Sequence, residues 1–274
     1  MSESDMEVKI TRIKPDMRVA RPAWNMPEDR DVTVGGHRIR YWEKGSGRRP
    51  LVLVHGFSGS ASFEWGRVFD ALATRFRVIA PQVLGFAPGE QPEIVYSTDA
   101  LVTSLGAFFS ALGLNDIVLL GESFGGWLVG SYAVRAARLG QPSIAKLCVV
   151  GGPIGFVRFP AQTARGFFHD DVQREADGWM TNDVFSVNNN TRMAIVRDSG
   201  LAKAELDEAA AGTISVPTLL LWGDKDELIP LEIGERALGW IPDARLTVLE
   251  DIGHIPSIEC PADFVRVVTE FAAE

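Results

Sequence analysis

The segment Leu119-Leu120-Gly121-Glu122-Ser123-Phe124-Gly125-Gly126 holds the most chemistry of any stretch in the 274 residues, because it fits the pattern G-x-S-x-G. It follows an apolar run and precedes a helical pattern. A serine at such a strand-to-helix turn is pushed into the open, and glycines on both sides keep neighbouring side chains away. The turn also sets the Phe124 backbone N–H at a helix N-terminus, aimed at a developing oxyanion.

A serine hydroxyl needs a base to become a nucleophile, and four histidines are on offer. His37 falls in an early hairpin and His169 in a later insertion, both away from the carboxyl end of a core strand. His254, in Gly253-His254-Ile255-Pro256 just after the last strand candidate, is the expected base. His55 is expected to hydrogen-bond the loop beside it. The base needs an acceptor for its other ring nitrogen, and Trp222-Gly223-Asp224-Lys225-Asp226 supplies two. Asp226 is preferred, since Asp224 lies nearest the strand end, where an aspartate usually bonds backbone. His55-Gly56-Phe57 offers a second oxyanion donor, the Phe57 backbone N–H, with Gly56 permitting close approach. No metal is expected: His169 with Asp170 and Asp171 reads as a solvated helix face. Glu122 receives no role.

These residues need a scaffold that brings strand ends together. Leu51–Val54 is a continuous apolar run, as a strand buried on both faces would be. The pattern recurs at Val78–Ala80, Ile117–Leu120, Leu147–Val150, Thr218–Trp222 and Leu246–Leu249. Helical spacing over Phe63–Thr74, Thr98–Leu112 and Gly126–Leu139 joins several of them, giving alternating strands and helices with a parallel sheet. Asp31–Val34 and Arg38–Glu43 flank Gly35-Gly36 as a hairpin. Residues 1–29 mix charges with Pro15, Pro22 and Pro27, show a β-like stretch only around Val8–Ile13, and read as an N-terminal arm. Residues 30–153 and 213–274 then form the core. Between them, residues 154–212 exceed what a crossover needs; they read as a helical cap with a helix over Ala202–Ala211 and six aromatic residues, Phe156, Phe159, Phe167, Phe168, Trp179 and Phe185.

Composition sets the class. With 46% hydrophobic and 23% charged residues the chain is globular rather than disordered. Its 27 Lys and Arg against 36 Asp and Glu give a net charge of −9, which argues against nucleic acid and anionic membranes as partners. Cys148 and Cys260 lack any CxxC or His-cluster context, so both are expected as free thiols. The acidic start without an apolar segment reads as cytoplasmic.

At this point the chain resembles the α/β-hydrolase fold family over residues 31–274. The resemblance rests on His55-Gly56-Phe57, the segment around Ser123, Trp222-Gly223-Asp224-Lys225-Asp226 with Pro230, and Gly253-His254 with Glu259, Pro261 and Phe264. It implies an eight-stranded, mostly parallel sheet with helices on both faces, and the order nucleophile, acid, base that Ser123, Asp226 and His254 obey. It favours Asp226 over Asp224 as the acid and implies no cofactor. One departure stands out: many members carry an aspartate after the strand ending at Ala80, where this chain has Pro81-Gln82-Val83-Leu84-Gly85.

The expected activity is serine hydrolysis of a small or medium apolar carboxylic ester through an acyl-enzyme. The alternative is C–C bond hydrolysis of the meta-cleavage type, for which an arginine near the pocket, Arg192 or Arg197, is the feature to look for. A ligand-binding receptor on the same fold is the reading from another class. The aspartate nucleophile of epoxide hydrolases and haloalkane dehalogenases is replaced by Ser123.

Overall fold

The computed structural model describes residues 9–136, 138–155, 187–203 and 205–274. Among these, nine strands form one sheet. They are β1 (Ile10–Ile13), β2 (Asp29–Val34), β3 (His37–Lys44), β4 (Pro50–Val54), β5 (Arg77–Pro81), β6 (Ile117–Glu122), β7 (Ile144–Val150), β8 (Thr218–Gly223) and β9 (Ala244–Leu249). Their order in space is β1-β9-β8-β7-β6-β4-β5-β3-β2. Only β2 with β3 and β3 with β5 pair antiparallel; the other pairings are parallel.

The sheet has one strand more than the eight expected, because Ile10–Ile13 pairs in register with Leu246–Leu249. Residues 9–28 are thereby tied to the core. Trp24 stacks on Phe63 with ring centroids 5.9 Å apart and donates from Nε1 to the Phe63 carbonyl at 2.7 Å. The helix expected over Phe63–Thr74 is split into α1 (Ala61–Trp65) and α2 (Phe69–Ala73) at this place. There the Gly66 carbonyl accepts from Asn25 N at 2.9 Å, and the Trp24 ring packs where a side chain on Gly66 would stand.

Alternation along the apolar strands explains why they read as continuous runs. Val52, Val54, Leu119, Val149, Leu220 and Val248 face one core, with Phe108 and Phe109 of α3 (Thr98–Ala111) and Trp127 and Tyr132 of α4 (Phe124–Arg135). Leu51, Leu53, Val118, Leu120, Cys148 and Leu221 face the other, with Trp65, Phe69 and Phe264. Both faces are covered, so both alternating sets must be apolar. Cys148 and Cys260 are buried free thiols, and desolvation pushes both thiol pKa values up.

The cap aromatics named above and His169, Asp170 and Asp171 lie outside the described residues. Within 187–212 the chain forms α5 (Asn189–Asp198), a 3₁₀ turn at Leu201–Lys203 and α6 (Glu208–Ala211). The single helix expected over Ala202–Ala211 is therefore interrupted. Asp207 starts a new one, its carboxylate accepting from Ala210 N at 2.9 Å as an N-cap.

Strand order dictates where a site can form. From β4 the chain passes to β5 on one side and then returns to β6 on the other. This reversal opens a crevice at the carboxyl ends of β4 and β6. Farther along, Trp222 lies one residue before the end of β8 and supports the loop that follows: wholly buried, it donates from Nε1 to the Ile229 carbonyl at 2.8 Å. Trp222→Phe removes that donor and part of the buried ring. The expected loss is about 2 kcal/mol of unfolding free energy, measured by urea denaturation.

Candidate active site

Ser123 leaves β6 with φ 57° and ψ −124°, a left-handed conformation unfavourable for any residue with a side chain. It is held there from both sides: its N–H donates to the Val150 carbonyl at 2.8 Å, and its carbonyl accepts from Trp127 N in α4 at 3.2 Å. The flanking glycines have a steric reason. A Cβ on Gly121 would run into the backbone of Gly125, and one on Gly125 into the carbonyl of Val54.

His254 Nε2 lies 2.8 Å from Ser123 Oγ, and its Nδ1 lies 2.7 Å from Asp226 Oδ2. With an ionised Asp226 accepting the Nδ1 proton, Nε2 is left with the lone pair that faces the serine hydroxyl. The other Asp226 oxygen accepts from Leu228 N at 3.0 Å and Ile229 N at 2.8 Å, which fixes the carboxylate. Ser123, His254 and Asp226 are all buried. Asp224 does backbone work instead: its Oδ1 accepts from Asp251 N at 2.7 Å.

Asp226 and His254 follow the adjacent strands β8 and β9, whereas Ser123 lies two strands away on β6, beyond β7. The pair reaches across because Gly151 follows the end of β7. At φ 51°, a Cβ on that residue would stand 3.3 Å from Asp226 Oδ2 and 3.5 Å from His254 Nδ1. Nothing in the local sequence marks Gly151, since its role depends on a strand order that only the folded sheet reveals.

Phe57 and Phe124 meet as stacked rings 4.4 Å apart. Phe124 is the first residue of α4, where a helix leaves its N–H without an intrahelical acceptor. Gly56 is pressed so close to Ser123 that a Cβ there would be 2.8 Å from Ser123 Cβ and 2.9 Å from the Glu122 carbonyl. Close approach of residues 55–57 to Ser123 is thus a property of the backbone.

The remaining predicted residues separate cleanly. His37 pairs with Glu90 at 2.9 Å in the hairpin region. His55 is wholly buried, with Nδ1 2.8 Å from the Gly56 carbonyl and Nε2 accepting from Val83 N at 3.0 Å. Desolvation lowers its pKa from an ordinary 6.5 to about 4. Arg197 is exposed and paired with Asp198. Arg192 is buried and donates from Nη1 to the Phe57 carbonyl at 3.0 Å, with desolvation lowering its pKa to about 10.

Sequence reasoning missed the amides that hold this rim. Gln82, in the loop that departs from the expected pattern, accepts from Ala61 N at 3.1 Å and donates to the Gly59 carbonyl at 2.7 Å and the Ala87 carbonyl at 2.9 Å. The side-chain amide supplies both the acceptor and the donors that this loop uses, which a carboxylate at 82 could not. Asn188, just before α5, makes a second bridge, accepting from Ala87 N at 2.7 Å and donating to the Gly59 carbonyl at 3.2 Å. Among the described residues no three metal-ligating side chains cluster, and no helix is long and apolar enough to cross a membrane.

Comparison with known proteins bears on the family and the fold. The model of the alpha/beta hydrolase family matches residues 51–267. Over 89% of the chain, 29% of residues are identical to 2-hydroxy-6-oxo-6-(2'-aminophenyl)hexa-2,4-dienoic acid hydrolase of Metapseudomonas resinovorans, across 90% of that protein. A 2-hydroxymuconate semialdehyde hydrolase of a Pseudomonas species is 30% identical, over 91% of this chain and 96% of that one. Among solved structures, a meta-cleavage product hydrolase of Pseudomonas fluorescens superposes with a TM-score of 0.76 at 24% identity, covering 90% of this chain and 98% of that one.

The neutral His55 carries a pH dependence. Because its pKa is depressed on folding, the unfolded chain binds the proton first, and stability falls as pH drops from about 6.5 towards 4. His55 adds up to about 1.4 kcal/mol per pH unit in that window. Comparing urea midpoints at several pH values for the protein and His55→Gln should show a shallower slope in the variant.

Proposed function

This chain belongs to the alpha/beta hydrolase family, and we propose that it is a serine hydrolase that cleaves a small or medium apolar carboxylic ester through an acyl-enzyme. The observation that carries this reading is the unbroken hydrogen-bonded series from Ser123 through His254 to Asp226. In the proposed mechanism His254 Nε2 takes the Ser123 proton as Oγ attacks the ester carbonyl carbon. The Phe57 and Phe124 amides receive the oxyanion, and Asp226 steadies the imidazolium. The carbonyl re-forms, the C–O bond to the alcohol breaks, and His254 returns the proton to the departing alkoxide. Water, deprotonated by His254, then releases the acid and restores Ser123. No cofactor enters these steps.

A second reading is favoured by Arg192. It is the buried cation beside the Phe57 carbonyl, suited to the carboxylate of a 2-hydroxy-6-oxo-dienoate, and relatives named for such substrates align over most of the chain. On this reading the same series cleaves a C–C bond next to the ketone.

Two substrate sets separate the readings: p-nitrophenyl esters of increasing acyl length, and a 2-hydroxy-6-oxo-dienoate followed by loss of its absorbance. Ester turnover favours the first, dienoate cleavage the second. Ser123→Ala should lower kcat on the preferred substrate by on the order of 10⁴-fold. Asp226→Asn should be severe and Asp224→Asn mild; the reverse order would move the acid to Asp224. On the second reading Arg192→Gln raises KM for the dienoate, with little effect on uncharged esters.

A further inference from the structure

A buried carboxyl group lies behind the loop that carries Phe57. Glu64, in α1, is wholly buried. Its two oxygens lie 2.7 and 3.0 Å from Gly56 N, and one also accepts from Ser58 Oγ. Gly56 is therefore held on one side by Glu64 while its other side presses against Ser123, where a Cβ would stand 2.8 Å from Ser123 Cβ. A shift of Gly56 moves the next amide, that of Phe57, relative to the nucleophile. We propose that Glu64 is a positioning residue of the oxyanion site: through Gly56 and Ser58 it sets the distance between the Phe57 N–H and Ser123 Oγ. The inference rests on the serine-nucleophile reading above.

Helix propensity and packing give no reason for a carboxyl at this place. Phe63 and Trp65 beside it are buried apolar residues, and burying an acid costs free energy unless donors meet it. Three donor contacts converge on Glu64 from the one loop, so its partners specify the loop rather than the helix. Two further buried acids, Glu122 and Glu259, lie in the same region. Glu122, the residue before the nucleophile, bonds Ser257 Oγ at 2.5 Å, and Ser257 Oγ lies 3.2 Å from the Glu64 carbonyl. Glu259 accepts from Gly253 N at 3.0 Å and Ile255 N at 3.1 Å, on either side of His254. Desolvation raises the pKa of Glu64, while the bonds from Ser58 and Gly56 oppose the rise. Glu122 is raised as well, first by burial and then by the charge of Glu64.

The test uses diethyl p-nitrophenyl phosphate, which needs the nucleophile and oxyanion donors but no matching acyl pocket. Ser123 Oγ forms the bond to phosphorus, the bond to p-nitrophenolate breaks, and His254 takes the serine proton. The release rate is measured from pH 5 to 10 for the protein, Ser123→Ala, Glu64→Gln and Ser58→Ala, with melting temperatures alongside. Glu64→Gln sets an amide N–H against Gly56 N–H and should slow release by about 10-fold or more. It should also abolish a rise in rate that follows Glu64 ionisation above the usual carboxylate range. Ser58→Ala alters a half-exposed residue and removes one donor; its rise should move to higher pH, and it carries the test if Glu64→Gln does not fold. Unchanged rates in the variants, or slower rates with the pH profile unmoved, overturn the proposal while leaving the serine reading intact. A protein inert to the reagent overturns both.

Discussion

Everything at this site depends on a single unfavourable backbone conformation, that of Ser123. A left-handed turn at a residue with a side chain costs on the order of 1–3 kcal/mol and persists only where its surroundings over-determine it. Here they do. β6 delivers the residue from a fully buried strand, α4 begins immediately after it, and the Val150 carbonyl holds its N–H. The cost is met by the burial of two helix-covered cores. In return the hydroxyl stands clear of its own backbone, where a base from another strand can reach it.

The same constraint explains which neighbours must be small. Gly121, Gly125 and Gly56 all lie where backbone approaches backbone around the turn, and Gly151 lies where the Asp226–His254 pair crosses the end of β7. These glycines leave loops poor in side chains, and loops buried in that way need other partners for their polar groups. Neutral His55, Gln82 and Asn188 and the carboxyl groups of Glu64 and Glu259 fill that need. The polar residues around the site are thus mostly structural supports for loop backbone.

Such an arrangement separates chemistry from specificity. On the proposed reading, a nucleophile, base and acid fixed by the sheet would act on any carbonyl brought to Ser123, and residues above the strand ends would decide the leaving group. Arg192 comes from α5, outside the sheet, and reaches the Phe57 carbonyl. On the second proposed reading a cation placed there would discriminate by charge, which the hydrogen-bonded series itself cannot do. The two proposed activities, ester and C–C hydrolysis, would draw on one core and differ in what the overlying residues present.

Much of this was legible in the sequence. Runs buried on both faces must be apolar throughout, so Leu51–Val54 and its counterparts mark the sheet, and a serine between glycines at a strand end marks the turn. Four histidines allowed elimination, and the different surroundings of Asp224 and Asp226 followed from their distance from the strand. Other features were hidden because they are pairings between distant segments. Ile10–Ile13 joins β9, Trp24 splits a helix forty residues away, and Gln82 bridges loops on both sides of β5. Glu64 gave one local signal, an acid among apolar neighbours, but its partners could not be inferred. Chain-local rules of polarity, period and turn chemistry determine elements and the residues with reactive groups. Only the tertiary structure decides which backbone groups are buried together, because that depends on strand order and contact between segments far apart in the chain.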